Sequence, residues 1–183
     1  QPVPLLLRQL PKAKHLLKLQ QRNNRQPTFT QNRLPTEAVF FLLFCAMIVL
    51  IADSGSSKTD WVVLNGAKKE QTCQTTGFNP YFQTKQQIKE ELIKSLLPEL
   101  KAWTSKIARI YFYGSGCSNE KNCTLVQHAL AESISPNAHI EVSHDLLAAA
   151  RALCGNSPGI AAILGTGSNS CLYDGKNIIE NVA

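Results

Sequence analysis

Polar and apolar positions divide the chain into short, sharply bounded runs. Residues 48–52 (Ile-Val-Leu-Ile-Ala) are continuously apolar and mostly β-branched, as in a strand buried on both faces, and the run stops at Asp53. A small polar turn leads into Asp60-Trp61-Val62-Val63-Leu64, rich in strand formers, so the two runs predict a hairpin. Residues 69–76 alternate loosely, a third antiparallel strand that ends at Gly77. Ile88, Leu92, Leu96 and Leu100 recur at i, i+4, which predicts one amphipathic helix over 86–103 despite Pro98. The pattern then predicts a buried strand at 107–113, a helix at 122–134, a short strand at 138–142 and a helical run opening at Asp145. Residues 158–164 read as another buried strand, 171–173 and 177–182 as two more, with Asp174-Gly175 as the turn between them.

The resulting order is three strands, helix, strand, helix, strand, helix, followed by the opening strands of something similar. It predicts an α/β first domain over 47–155 and the truncated start of a second domain over 156–183. Residues 1–46 stand apart. They hold none of the ten glycines, five of the nine prolines and no serine, and Met47, the only methionine, directly precedes the first strand. We expect this segment to be a non-domain extension, disordered or artefactual, with a transit peptide as the alternative reading.

Charge changes the picture once it is located. The 183-residue chain carries a formal +6. Residues 1–46 contain seven Lys/Arg against Glu37 alone, hence 7 − 1 = +6, and residues 47–183 contain twelve of each sign. The balanced part offers no electrostatic footprint for nucleic acid. The fifteen apolar residues at 38–52 fall short of the ~18 or more that a membrane span needs. Six scattered cysteines without C-x-x-C spacing read as free thiols of a reducing, cytoplasmic compartment.

The chemistry gathers in the turns. Between Asp53 and Asp60 lie backbone N–H groups, hydroxyls, one ammonium and one glycine, the donor set that an oligophosphate and its metal ion require. A Walker A loop is the competing pattern, but Ala52 and Ser57 stand where it needs glycines, and a strand rather than a helix follows. A Ser/Gly hairpin without a ligand is the plainer alternative. A second strand–turn–strand, Leu164-Gly165-Thr166-Gly167-Ser168-Asn169-Ser170, repeats the design. Gly-Ser-Gly-Cys-Ser at 114–118 follows a buried strand, at the sheet end where open α/β folds place ligands. Asp145 has a structural explanation as a helix N-cap, and Gly77-Phe78-Asn79-Pro80 one as a plain turn.

Taken together, Asp-Ser-Gly-Ser-Ser-Lys-Thr-Asp-Trp at 53–61, Gly-Phe-Asn-Pro-Tyr-Phe at 77–82, His-Asp-Leu-Leu-Ala-Ala-Ala-Arg at 144–151 and the Leu164–Ser170 turn resemble the sugar kinase/Hsp70/actin superfamily. The similarity is to its branch of N-acetylglucosamine kinases and BadF/BadG/BcrA/BcrD-type ATPases, and spans about 47–183. It implies a ribonuclease-H-like, actin-like ATPase fold that binds ATP and Mg²⁺. It further implies Asp53 on the metal, Ser54, Gly55, Ser56, Ser57, Lys58 and Thr59 with Thr166, Gly167 and Ser168 on the phosphates, and Asn79 on the sugar. Asp145 then touches the substrate as general base, taking the proton from the sugar hydroxyl that attacks the γ-phosphorus. Ser57 stands where threonine is usual.

The implied activity is ATP-dependent phosphorylation of a sugar, N-acetylglucosamine first. The implied partners are small molecules, with neither nucleic acid nor membrane, and a homodimer is left open. Two alternatives stand: an ATPase that activates a dehydratase or reductase partner, with Cys117 and Cys154 as cluster ligands, and a non-catalytic sugar or nucleotide sensor. The family's adenosine pocket and most of its second domain have no counterpart in the 183 residues. We therefore expect this chain alone to be an amino-terminal fragment without turnover, prone to self-associate through 159–183.

Overall fold

The computed structural model describes residues 47–164 and 168–182. The expected 1–46 extension, and Thr166 and Gly167 of the second turn, lie outside the described residues.

The doubly buried run at 48–52 becomes β1 (Ile48–Ser54), the central strand of a five-stranded sheet. β2 (Lys58–Asn65) and β3 (Lys68–Thr76) extend it antiparallel on one side. β4 (Ile107–Gly114) and β5 (His139–His144) run parallel to it on the other, giving the order β3-β2-β1-β4-β5. Hydrophobicity on both faces of β1 is explained by what covers them. Leu50 and Ala52 join Trp61, Val63, Phe78 and Phe112 in one core, while Val49 and Ile51 join Val62, Leu64, Tyr111 and Tyr113 in another. The first core is roofed by α1 (Lys85–Glu91), the turns that follow it and α2 (Glu120–Ser133); the second by α3 (Asp145–Cys154). This mixed sheet, antiparallel at its start and alternating with helices thereafter, is the ribonuclease-H-like arrangement.

The single helix expected over 86–103 is broken into a short α-helix, a π turn and a run of turns over 97–103. A capping box of Thr84 and Gln87 opens α1, and the chain then widens into a π turn, Leu92–Leu96, with Leu97 N–H donating to the Leu92 carbonyl at 2.9 Å. Pro98 is the physical cause, since it has no N–H and its ring crowds the carbonyl four residues back. The looser turns still bury Leu92, Leu96 and Leu100 completely. The other boundaries move by one to three residues: α2 starts at Glu120 because the Asn119 side chain caps Asn122 N–H, and β5 continues through His144.

A second, antiparallel sheet is formed by β6 (Gly159–Leu164), β7 (Ser168–Tyr173) and β8 (Ile178–Val182). Its inner face meets the side of α3 turned away from the first sheet, with Leu146 and Ala150 against Ala161, Cys171 and Tyr173. Alanine at 148, 150 and 152 keeps α3 thin enough to pack on both sheets. Among the described residues no helix is long and apolar enough to cross a membrane.

Candidate active site

Strand register assembles the site. Ser54, Gly114 and His144 are neighbours across β1, β4 and β5, so the three turns that follow them leave the same edge of the sheet. At about 4.8 Å per strand the first hairpin and the start of α3 are about 10 Å apart. Side-chain alternation adds a direction: Asp53, Tyr113 and Ser143 share the face that α3 covers, and Asp145 is the first residue of α3.

In the hairpin, Gly55 N–H donates to the Lys58 carbonyl at 2.9 Å and closes the turn, leaving Ser56, Ser57 and Lys58 exposed at its tip. Ser54 and Thr59 are fully buried, with their hydroxyls 2.8 Å apart. Ser54 Oγ also accepts from Phe78 N–H at 3.1 Å, and Thr59 donates to the Thr76 carbonyl at 3.0 Å. These two side chains thus hold the hairpin's base on the following segment, and the tip is what faces out. The Lys58 ammonium rests 3.2 Å from Asp60, whose other oxygen accepts from Gln74 at 2.5 Å.

Asp53 is buried directly opposite Asp60. Two carboxylates on one face of the sheet are oxygen donors of the kind a hard cation takes together with phosphate oxygens and water. Among the described residues no three His, Cys, Asp or Glu are grouped to form an all-protein metal cage. An ion carried in by a nucleotide needs no such cage, and carboxylate oxygens on this face are compatible with one.

Asn79 sits in the loop that receives the hairpin. The hairpin backbone at Gly55 and Ser56 passes so close to Gly77 that a side chain there would run into it. Asn79 Oδ1 accepts from Tyr81 N–H at 3.0 Å, and its N–H donates to Gln83 at 2.7 Å. Gly116, at φ +83°, lies beneath it: a Cβ there would come within 2.6 Å of Asn79 Oδ1. Tyr81 OH then reaches Ser118 Oγ at 3.0 Å and accepts from Asn119 at 3.2 Å, joining the Asn79 loop to the loop after β4.

The N-cap reading of Asp145 is corrected. His144 is the cap: its Nδ1 accepts from Leu146 N–H at 3.2 Å, leaving Asp145 at the first helical position, partly exposed, with one oxygen 3.2 Å from the same Nδ1. Within the 114–118 turn, which the sequence places at the ligand-bearing end of the sheet, one residue stands out. Ser115 Oγ is buried without a hydrogen-bond partner, although Ser115 N–H is fixed to the Ser54 carbonyl at 2.8 Å. It stands between the hairpin and Asp145, and an unpartnered hydroxyl there is the kind of group a bound polar ligand satisfies. A cavity of about 310 Å³ opens beside these turns, lined by Cys117, Ser118, Cys123, Val142, His144 and Ile178 among others, and touches neither the hairpin nor Asp145 itself. Ser168 is exposed at the start of β7 in the second sheet.

No protein-family model and no curated protein matches the chain. Among solved structures, a candidate N-acetylglucosamine kinase from Porphyromonas gingivalis is 46% identical, with a TM-score of 0.71 over 74% of this chain and 47% of its own. The fold is shared with that protein. The chain therefore spans about half its length. The Aquifex aeolicus PPX-GPPA enzyme (14% identity, TM-score 0.40, 74% of this chain and 51% of its own) is far more distant. So is YeaZ from Pseudomonas aeruginosa (15%, 0.40, 74% and 66%).

Proposed function

We propose that the chain carries the amino-terminal part of an ATP-dependent kinase that phosphorylates a sugar hydroxyl, with N-acetylglucosamine as the substrate. The observation that carries this reading is the register Ser54–Gly114–His144, which puts the hairpin tip, Ser115 and Asp145 along one sheet edge. The 46% identity to the Porphyromonas gingivalis protein supports the substrate class.

In this reading residues 47–155 form the first domain and 156–183 begin the second. Backbone N–H groups and hydroxyls of Ser56 and Ser57, the Lys58 ammonium and the Thr166–Gly167–Ser168 turn hold the ATP phosphates. Ser54, Gly55 and Thr59 shape the loop that does so. Asp53 holds Mg²⁺, which when bound neutralises phosphate charge. Asn79 orients the sugar through an amide that both donates and accepts. Asp145 takes the proton from the attacking hydroxyl; that oxygen bonds to the γ-phosphorus as the bond to ADP breaks. Positioning and charge neutralisation carry most of such a transfer, and a general base adds about 10²–10⁴-fold.

The test is calorimetric titration of the protein extended to the length of its structural relative with N-acetylglucosamine, alongside its Asp145→Asn variant in a coupled assay. Sugar binding by both proteins, with phosphorylation lost by about 10²-fold or more in the variant, is expected. Absence of sugar binding with and without nucleotide overturns the substrate assignment.

A further inference from the structure

Cys117 and Cys123 are a pair of free thiols for which the proposed reaction has no use. Cys117 ends the small-residue loop after β4, its N–H donating to the Gly114 carbonyl at 3.2 Å, and its side chain is 2% exposed in the core beneath that loop. Cys123 lies in the first turn of α2. It is partly exposed, and its Sγ donates to the Cys117 carbonyl at 3.4 Å, which brings its thiol against the Cys117 residue. Both line the 310 Å³ cavity, through which a small reagent meets the partly exposed Cys123 first and the buried Cys117 behind it.

Position gives the pair a consequence. Gly116, next to Cys117, bears on Asn79, and Asn122, next to Cys123, donates to the Gly116 carbonyl at 2.8 Å. Whatever bridges the thiols therefore ties the start of α2 to the loop that supports Asn79.

We propose that Cys117 and Cys123 form a vicinal dithiol site that takes soft trivalent electrophiles and is closed to an intrachain disulfide by low-molecular-weight disulfides. Cys123, the exposed member, loses its proton and attacks one sulfur of R–S–S–R; that S–S bond breaks and R–S⁻ leaves with the proton. Cys117 then gives up its proton and attacks Cys123 Sγ, releasing the second thiol. Two protein thiols lose two electrons, and one R–S–S–R is reduced to two R–SH. Burial, foremost, pushes the Cys117 thiol up to about 12 and Cys123 upward as well, which makes Cys117 the resolving group and the exchange slow.

The test uses the 183-residue chain with glutathione disulfide and, separately, phenylarsine oxide, followed by alkylation and peptide mapping. Expected are a cross-link between the peptides holding Cys117 and Cys123, and loss of alkylation at both residues with a single bound arsenical. In Cys117→Ser the glutathione adduct persists on Cys123 and arsenical protection disappears. Serine nearly preserves thiol volume, and protection of the unaltered chain can be read without any variant. A stable glutathione adduct on Cys123 in the unaltered protein, a cross-link through a different pair, or protection that survives Cys117→Ser overturns the proposal.

Discussion

Ser54 Oγ lies 2.8 Å from Thr59 Oγ1 at the base of the first hairpin, and neither residue is exposed. Hydroxyls that the sequence places in a phosphate loop are thus spent inside the fold. Ser54→Ala leaves Phe78 N–H buried without an acceptor, and we expect about 1–3 kcal/mol of destabilisation in urea unfolding. Ser57→Ala, at the exposed tip, is expected within about 0.5 kcal/mol of the parent. Equal stability of the two variants would mean that Ser54 carries no structural load.

Gly116 supports Asn79 from below. A side chain there meets both a strained φ of +83° and Asn79 Oδ1, so Gly116→Ala should cost more than about 1 kcal/mol. It should also weaken sugar binding in the extended protein while nucleotide binding at the hairpin stays unchanged. The two ligands titrated separately check this, and a parallel loss of both would place the damage in the sheet instead.

How much of this was legible in the sequence follows from how local each signal is. The doubly apolar run of β1 announces a central strand because both of its faces are covered, antiparallel to β2 on one side and parallel to β4 on the other. The break of the 86–103 helix was marked by Pro98, yet the i, i+4 leucines outweighed it, since a π turn keeps the same side chains inside. Asp145 opens α3 where the sequence puts the helix start, but the cap role belongs to His144, whose imidazole nitrogen is an acceptor that preference rankings for caps do not favour. The sequence points to the whole 114–118 turn, at the end of the sheet where ligands sit, but nothing local singles out Ser115. Its unpartnered hydroxyl is a fact of tertiary placement, and Gly-Ser-Gly describes countless turns without one.

Alkaline unfolding should report the contact between α3 and the sheet. Burial, against the opposing pull of Arg151, pushes the Tyr113 phenol from 10.0 up to about 12; its OH accepts from Arg151 at 2.9 Å. A folded pKa above the unfolded one means that the stabilisation is fully present below pH 10 and is lost as pH rises through 12. The loss is on the order of 2 kcal/mol. Tyr113→Phe should flatten the stability curve across this window. An unchanged slope in chemical denaturation would show that the phenol titrates normally.

The acid side should be shallow. Glu132 bridges α1 to α2 by accepting from Lys85 at 2.7 Å and Lys89 at 2.6 Å, and the hydrogen bond from Lys85, then that from Lys89, lowers its carboxyl from 4.5 to about 2. A depressed folded pKa gives stability that is present above pH 4.5 and is lost as pH falls through about 2. The Glu132 carboxylate is exposed to solvent, so salt should erase the effect. Glu132→Gln is expected to be indistinguishable from the parent at high ionic strength, and a persistent difference there would locate the bridge in a less solvated setting.

The outer face of the second sheet decides the last prediction. Cross-strand register pairs Ile160 with Leu172, Ala162 with Ser170 and Leu164 with Ser168, so these side chains share one face. Ile160 is 74% exposed, Leu164 85%, Leu172 39% and, opposite Ser170, Val182 56%. The inner face is already occupied by α3, and among the described residues β6 and β8 each bond to β7 alone, which leaves a strand edge unpaired by them on either side. Contiguous exposed apolar side chains beside open edges favour strand addition or face-to-face packing with a second copy. We expect the 183-residue chain to sediment with a concentration-dependent mass. Lysine at positions 160 and 172, where paired like charges face outward, should return it to the monomer without altering the unfolding of the first sheet. A chain that is monomeric at every concentration, or an Ile160→Lys/Leu172→Lys variant that associates as strongly as the parent, would show that this face does not mediate the contact.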